Sequence, residues 1–389
     1  MKKEGCKKEK AFVTFGFDEK AKRNKSSSEM KNKKNTRNSQ DQKEQGFNDF
    51  LHDYKKSGKL RDWDQRKTTA KAVAQACSKT PGLEKYAPRI WECGRNVGFK
   101  ACILLEHGKK IKRANFCHYR LCPMCQPIKA SKVRDEVYEV AKAHLKEFPE
   151  DTPLLLTLTA PNITGDFIGR EIDAHMKAFE RLIKRKVVKA MNRSWFKALE
   201  ITKNQDRKDY HPHFHILLMV SPKYFHKNSP LYITHEKWLK LWQEAKRDHS
   251  ITQVDIRAIK DTGEGKLEAI IAEVAKYATK PSSYIFKDKN GKPVVDEETL
   301  KDLHFGLRGR RTIGYGGYFK KIRKEIKLLK LEKAAAKAAE RLNDEGTLKE
   351  EKPELCRVCH QPMVDENYSY HDKIERYVRN RQHDHGPSP

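Results

Sequence analysis

The stretch that most constrains the fold is Tyr210-His211-Pro212-His213-Phe214-His215-Ile216-Leu217-Leu218-Met219, where histidines recur at every second residue. In a strand, side chains alternate between faces, so His211, His213 and His215 share one face while Phe214, Ile216 and Leu218 take the other. Pro212 leaves His211 the least securely placed of the three. Neighbouring imidazoles have no use in an apolar core, whereas a metal ion needs ligands held on a rigid element. A half-exposed strand with solvated histidines fits the same pattern.

The chain has 389 residues, of which 37% are hydrophobic, enough for one main catalytic domain with smaller attachments. A mean hydropathy of -0.88 and 35% charged residues keep much of it wet. Its formal net charge of +29 opposes compaction unless a polyanion is the usual partner, and nucleic acid is the leading candidate, ahead of a membrane surface. No apolar run approaches the roughly 20 residues of a spanning helix. The start Met1-Lys2-Lys3-Glu4 lacks an apolar signal core, so the protein is expected to be cytoplasmic and free of membranes. Nine cysteines in a reducing compartment point to metal ligation rather than disulfides.

Residues 1–50 are rich in Lys, Asn, Ser, Gln and Glu and read as a disordered basic arm. Phe47, Phe50, Leu51 and Tyr54 suggest a helix, and another is expected over Thr68–Ala76. Residues 51–150 form a helical, cysteine-rich segment. In it, Cys122-Pro123-Met124-Cys125 is a CxxC knuckle, and Cys117 and Cys93 complete four sulfurs for a structural zinc. Apolar burial of free thiols is the alternative. Cys102, between Ala101 and Ile103, is expected in the core, and His118 stays open as a substitute ligand.

Within residues 151–320, Leu154–Thr159 reads as a strand, followed by a helix carrying Ile168, Ile172, Met176, Phe179 and Ile183. Trp195–Thr202 is a strand closed onto the histidine strand by Lys203–Asp209. A helix capped by Thr234, a strand over Ile251–Ile259 and a helix from Lys266 to Lys280 follow. The order β-α-β-β-α-β predicts an α+β, ferredoxin-like domain with an antiparallel sheet, helices on one face and the other face open to substrate. Beyond Pro281 the chain is expected to run through loops and the basic, glycine-rich Leu307–Gly317. A basic helix over 321–345 and a CxxC tail over 346–389 complete a helical C-terminal region. In the tail, Cys356 and Cys359, with His371, His383 and His385 downstream, offer ligands for a second zinc.

Symmetric closure of the hairpin places Glu200 near His213 on the same face. One carboxylate and two imidazoles make an open three-ligand site, whose oxygen donor suits Mg²⁺ or Mn²⁺. Glu200 fits equally well as a strand carboxylate facing solvent or a lysine. Glu273 and Tyr277 lie four apart on one helix face, along the edge of the apolar stripe, with Lys280 beyond. A tyrosine there can attack a phosphodiester if cations neutralise the phosphate, and a glutamate can act as general base in a second step. The spacing alone also describes an ordinary edge tyrosine and a surface glutamate.

Together these residues resemble the rolling-circle plasmid replication initiators of the HUH endonuclease superfamily, in the branch with a single active-site tyrosine and a glutamate four residues before it. The resemblance spans about Trp91 to Lys320. Leu156-Thr157-Leu158-Thr159 through Asn162 is similar to the first motif, His211–His215 to the metal motif, and Glu273, Lys276, Tyr277 and Lys280 to the nucleophile motif. Phe116-Cys117 with Arg120–Cys125 is similar to the family's cysteine cluster. The resemblance implies that His213 and His215 bind the divalent metal, less securely joined by Glu200, that Tyr277 is the nicking nucleophile and that Glu273 activates water at termination.

The function expected from it is metal-dependent nicking and joining of plasmid origin DNA through a 5′-phosphotyrosine, acting on duplex and nicked single strand. A host helicase would unwind the duplex and a host polymerase extend the free end, since no GxxxxGK[ST] nucleotide motif is present. A conjugative relaxase or transposase would share the chemistry. A non-catalytic, zinc-stabilised DNA-binding regulator is the alternative without it.

Overall fold

The histidine stretch forms the middle strand of a five-stranded antiparallel sheet. The structure, a computed structural model, describes residues 49–55, 58–104, 107–258, 266–277, 284–343 and 354–380. Apart from Asp49 and Phe50, the expected basic arm lies outside them.

In chain order the elements are α1 (Trp63–Lys79), α2 (Ala87–Glu92), β1 (Asn96–Cys102), β2 (Lys110–Ala114), α3 (Cys125–Glu147), β3 (Thr152–Thr159), α4 (Ile168–Lys184), α5 (Lys186–Met191), β4 (Asn192–Lys203) and β5 (Tyr210–Val220). There follow α6 (His235–Lys246), β6 (Val254–Ala258), α7 (Lys266–Tyr277), β7 (Ile285–Lys287), β8 (Pro293–Val295), α8 (Glu297–Leu307), β9 (Ile313–Gly317), α9 (Tyr318–Asn343), β10 (Met363–His371) and β11 (Arg376–Arg379). Among the described residues no helix is long and apolar enough to cross a membrane.

The central sheet has the order β6-β3-β5-β4-β9. Its first four strands are the ferredoxin-like arrangement expected from β-α-β-β-α-β, with β9 added at the β4 edge. Strand alternation sorts the side chains. Leu154, Leu156 and Leu158 of β3 and Phe214, Ile216 and Leu218 of β5 pack with Ile172 and Phe179 of α4 and Trp238 and Trp242 of α6. Thr234 caps α6, its hydroxyl accepting the Lys237 N–H at 3.2 Å.

The opposite face is not left open, contrary to the sequence expectation. Phe196 and Ala198 of β4 and Leu217 and Met219 of β5 are apolar there and would be stranded in water. They are covered by Val133, Val137 and Val140 of α3, Ile271 and Val274 of α7, and Phe319 and Ile322 of α9. Pro212 is tolerated in this central strand because β3 ends at Thr159, opposite His213. Its missing N–H therefore faces no β3 partner.

The segment past Pro281 also departs from the loop expectation. It forms the β7–β8 hairpin, α8 and the edge strand β9, which pairs Gly316 with Trp195. A Cβ on Gly316 would come within 2.0 Å of the Trp195 ring, so the glycines allow close approach rather than a loop.

A second antiparallel sheet, ordered β11-β10-β1-β2, joins the cysteine-rich segment to the C-terminal tail. The tail pairs along the whole of β1, from Asn96 opposite Ser369 to Cys102 opposite Met363. Of the helix expected from Phe47 to Tyr54, the described residues 49–54 are extended instead: Phe50 bridges Val378, and the Leu51 N–H donates to the Tyr377 carbonyl at 3.2 Å. Aromatic spacing there reflects docking onto β11, not a helical face. Buried Lys67 of α1 donates to the carbonyls of Trp91 and Cys93, tying α1 to the approach to β1.

Two polar features are buried in the central domain. His144 donates from Nε2 to Asp151 at 2.9 Å and accepts the Ser194 hydroxyl at 3.1 Å, while Ser194 Oγ accepts the Phe319 N–H at 3.1 Å. Ser-His-Asp order here is structural, because His144 and Ser194 are sealed from solvent and the hydroxyl is spent on α9. Lys197 lies between the rings of Phe179 and Phe214, 4.5 Å from each, with Met176 Sδ at 2.9 Å. Burial lowers its pKa to about 8.

A Lys197→Met variant should therefore be more stable at pH 7, by about 1–2 kcal/mol, since desolvating the cation costs more than two ring faces return. The folded lysine loses its proton near pH 8, against the usual 10.5 in an unfolded chain. The gain is thus full below pH 8 and shrinks as the pH rises above it. Thermal unfolding at pH 7 and 9.5 measures this; a lower midpoint for the variant at pH 7 would contradict it.

Candidate metal centre

The β4–β5 ladder sets Glu200 directly opposite His213, with Ala198 opposite His215. Opposed residues in an antiparallel pair share a face, so the carboxylate and both rings emerge on the side covered by α3, α7 and α9. Glu200 Oε2 lies 2.7 Å from His213 Nε2 and 2.9 Å from His215 Nε2, and the two rings are 4.7 Å apart. Glu200 and His213 are buried and His215 is half-buried.

His213 Nδ1 lies 3.1 Å from the His211 carbonyl, which can only accept, so this nitrogen carries a proton and donates it. In the neutral ring Nε2 then presents a lone pair to the lone pairs of Glu200. The approach is stable only with positive charge between them, a proton or a metal ion. Burial, reinforced by the neighbouring His213, holds the His215 pKa below its usual 6.5, against the pull of Glu200 and Glu273. Burial thereby favours the neutral form of His215, the form of an imidazole that can offer a lone pair to a metal.

Two nitrogens and one carboxylate oxygen, all within 4.8 Å of one another, form a donor set suited to a divalent cation. His211 is not among them. Its pKa is likewise lowered by burial. Thr157 and Thr159 of β3 pair with His215 and His213 and flank the group, with Thr157 Oγ1 at 3.4 Å from His215 Nδ1.

α7 runs along this face, burying Ile271, Val274 and Ala275 against β4 and β5. Half-buried Glu273 is close enough for its charge to act on His215. Tyr277 is the last residue of α7, one helical turn on from Glu273, and Lys280 lies outside the described residues.

The four expected sulfurs also meet. Cys125 Sγ is 3.5 Å from Cys93 Sγ and 3.7 Å from Cys117 Sγ, and Cys122 Sγ is 3.6 Å from Cys93 Sγ. These are far from the ~2.05 Å of a disulfide. The Cys117 N–H donates to Cys93 Sγ at 3.3 Å, as expected where backbone amides stabilise thiolates. His118 is exposed and outside the group, leaving Cys93, Cys117, Cys122 and Cys125 as the ligand set on offer.

The C-terminal pair departs from expectation. Cys356 and Cys359 gather with Cys102 and His107, so Cys102 is a member of a donor cluster rather than a plain core thiol. His371 is exposed and apart from them, and His383 and His385 lie outside the described residues. The CxxC spacing announces only half of this group; nothing local joins it to Cys102 and His107, since His107 and Cys356 are 249 positions apart.

Comparison with known proteins places the chain. A family model described as "Replication protein" matches residues 108–368. A "Protein rep" of Streptococcus pneumoniae serotype 2 is 34% identical over 284 residues, covering 73% of this chain and 85% of that relative. A "Protein rep" of Bacillus amyloliquefaciens is 34% identical over 305 residues, covering 72% and 87%. One of Lactiplantibacillus plantarum is 32% identical over 287 residues, again covering 72% and 87%. No solved structure matches the chain. With two thirds of its length inside the family model and relatives covered nearly end to end, the chain belongs to the replication protein family, the Rep proteins that initiate rolling-circle replication of plasmids.

Proposed function

We propose that this initiator nicks and rejoins one strand of plasmid origin DNA by transesterification. The observation that supports this most strongly is the meeting of Glu200 Oε2 with Nε2 of both His213 and His215 in a replication protein. These three side chains would hold Mn²⁺ or Mg²⁺. When bound, such an ion polarises a phosphate oxygen and offsets the charge that builds up on it.

The chain's own residues supply the rest. The Tyr277 phenolate attacks the phosphorus, forming a 5′-phosphotyrosine ester and releasing a 3′ hydroxyl, so the phosphodiester energy is kept. Lys280 offsets charge on the phosphate. Glu273 takes the proton from the water that ends the cycle. The 3′ hydroxyl primes a host polymerase, and a host helicase opens the duplex ahead of it. The surplus of 29 positive charges favours binding of the origin, duplex or single-stranded. Cys93, Cys117, Cys122 and Cys125 hold a structural zinc under the same reading.

Two measurements test it. Incubated with supercoiled origin plasmid and Mn²⁺, the wild-type chain should relax the DNA and carry a covalently attached strand. Tyr277→Phe should bind the same DNA and form no adduct; an adduct that survives in the variant rules out this nucleophile. Wild-type protein that shifts the DNA but never relaxes it is a regulator, not a nickase.

Calorimetric titration with Mn²⁺ tests the ligand set. Glu200→Ala and His215→Ala should each lower affinity by about tenfold or more, on the order seen when metal-site partners are removed. His211→Ala should leave it within about threefold, since that ring stands outside the group. Equal losses in all three would mean that the histidines act through the strand, not as ligands.

A further inference from the structure

We propose that Cys102, His107, Cys356 and Cys359 bind a second structural zinc ion, which clamps the C-terminal hairpin to the end of β1. Cys102 is the last residue of β1, and His107 lies in the connection to β2. Cys356 and Cys359 sit in a tight turn that leads into β10. In that turn the Cys356 N–H donates to the Gln361 carbonyl at 2.8 Å and the His360 N–H to the Cys356 carbonyl at 2.9 Å. His360 takes a positive φ of 58°, closing the turn as a knuckle around the two sulfurs.

The spacing of the donors identifies the ligand. Cys102 Sγ lies 3.4 Å from Cys359 Sγ, and His107 Nδ1 lies 3.5 Å from both Cys356 Sγ and Cys359 Sγ. A disulfide needs ~2.05 Å between sulfurs. A tetrahedral zinc with Zn–S of ~2.3 Å and Zn–N of ~2.0 Å spaces its ligand atoms ~3.5–3.8 Å apart. The four-cysteine cluster in the same chain has separations of 3.5, 3.6 and 3.7 Å. Three sulfurs and one imidazole, with no carboxylate, select zinc over magnesium, calcium or manganese. Four protein donors leave no open position, so the site is structural rather than catalytic.

The clamp acts at a junction that needs one. β10 returns to β1 after more than two hundred intervening residues, and the ladder between them is braced by pairs at the same end: Lys109 with Glu366, and Lys100 and Lys112 with Asp365 at 3.0 and 2.6 Å. The Lys100 and Lys112 pairs are partly exposed and contribute little each. A metal joining Cys102 to the turn before β10 fixes the register at its first step, Cys102 opposite Met363. Cys93, just before β1, belongs to the other cluster, so β1 is anchored by a donor group at each end.

The test is zinc content and local exchange of the full-length chain, neither of which depends on nicking. Native mass spectrometry should find two zinc ions in wild-type protein and one in Cys356→Ser/Cys359→Ser. In that double variant, amide exchange should speed up across residues 363–379 and stay unchanged in β3 to β6. A second variant, His107→Cys, keeps the test independent of any loss of fold in the first. It should keep two metals, and its cobalt-loaded form should gain thiolate-to-metal charge-transfer absorption as the ligand set goes from three sulfurs to four. A double variant that holds as many zinc ions as the wild-type chain, or an unaltered cobalt spectrum in His107→Cys, overturns the proposal.

Discussion

The antiparallel register of β4 on β5 is the constraint from which the rest follows. With Glu200 facing His213, and His215 two residues along, a single carboxylate oxygen reaches both rings. A slip of one residue would turn Glu200 toward the α4 side and bring Leu199 or Ile201 to the imidazoles. What prevents the slip is apolar sorting rather than the polar group itself. Phe196, Ala198, Leu217 and Met219 must face one helical layer, and Phe214, Ile216 and Leu218 the other. Each large side chain buried contributes about 1.5–3 kcal/mol, so misregister would forfeit several such terms together. The core thereby holds three polar groups in contact that would separate in a looser strand pair.

The group also sits where the apolar layer runs out. Along one face of β5 the side chains pass from Met219 and Leu217, buried under α3 and α7, to His215 and then His213. Enclosure on one side supplies the desolvation that holds the His215 pKa down. Glu273 on α7 lies within electrostatic reach of that boundary.

What the sequence disclosed was mainly what short-range periodicity encodes. The histidine strand, the β-α-β-β-α-β order, the Glu200–His213 pairing and the Cys93, Cys117, Cys122, Cys125 group were all readable, since each rests on alternation, a hairpin or a short spacing. The helix expected over Phe47–Tyr54 failed because its aromatic spacing serves an extended segment laid on β11. β9 was hidden because glycines that mark loops elsewhere here admit the Trp195 ring. Cys102 looked like core because its immediate neighbours are apolar, and its partners come from the connection to β2 and from the far end of the chain. Contacts of that span leave no trace in any window of sequence.

The closure of β1 onto β10 and of Leu51 onto Tyr377 gives the molecule a seam between early and late segments of the polypeptide. On a ribosome, the cysteine-rich half is made first but keeps an unpaired strand edge until residue 379 has emerged. The ferredoxin-like half has all of its first four strands once β6 is out, over a hundred residues sooner. Synthesis therefore brings out the four-stranded core of the central sheet, then the α7 and α9 that cover it, before the strand that seals its amino-terminal companion exists.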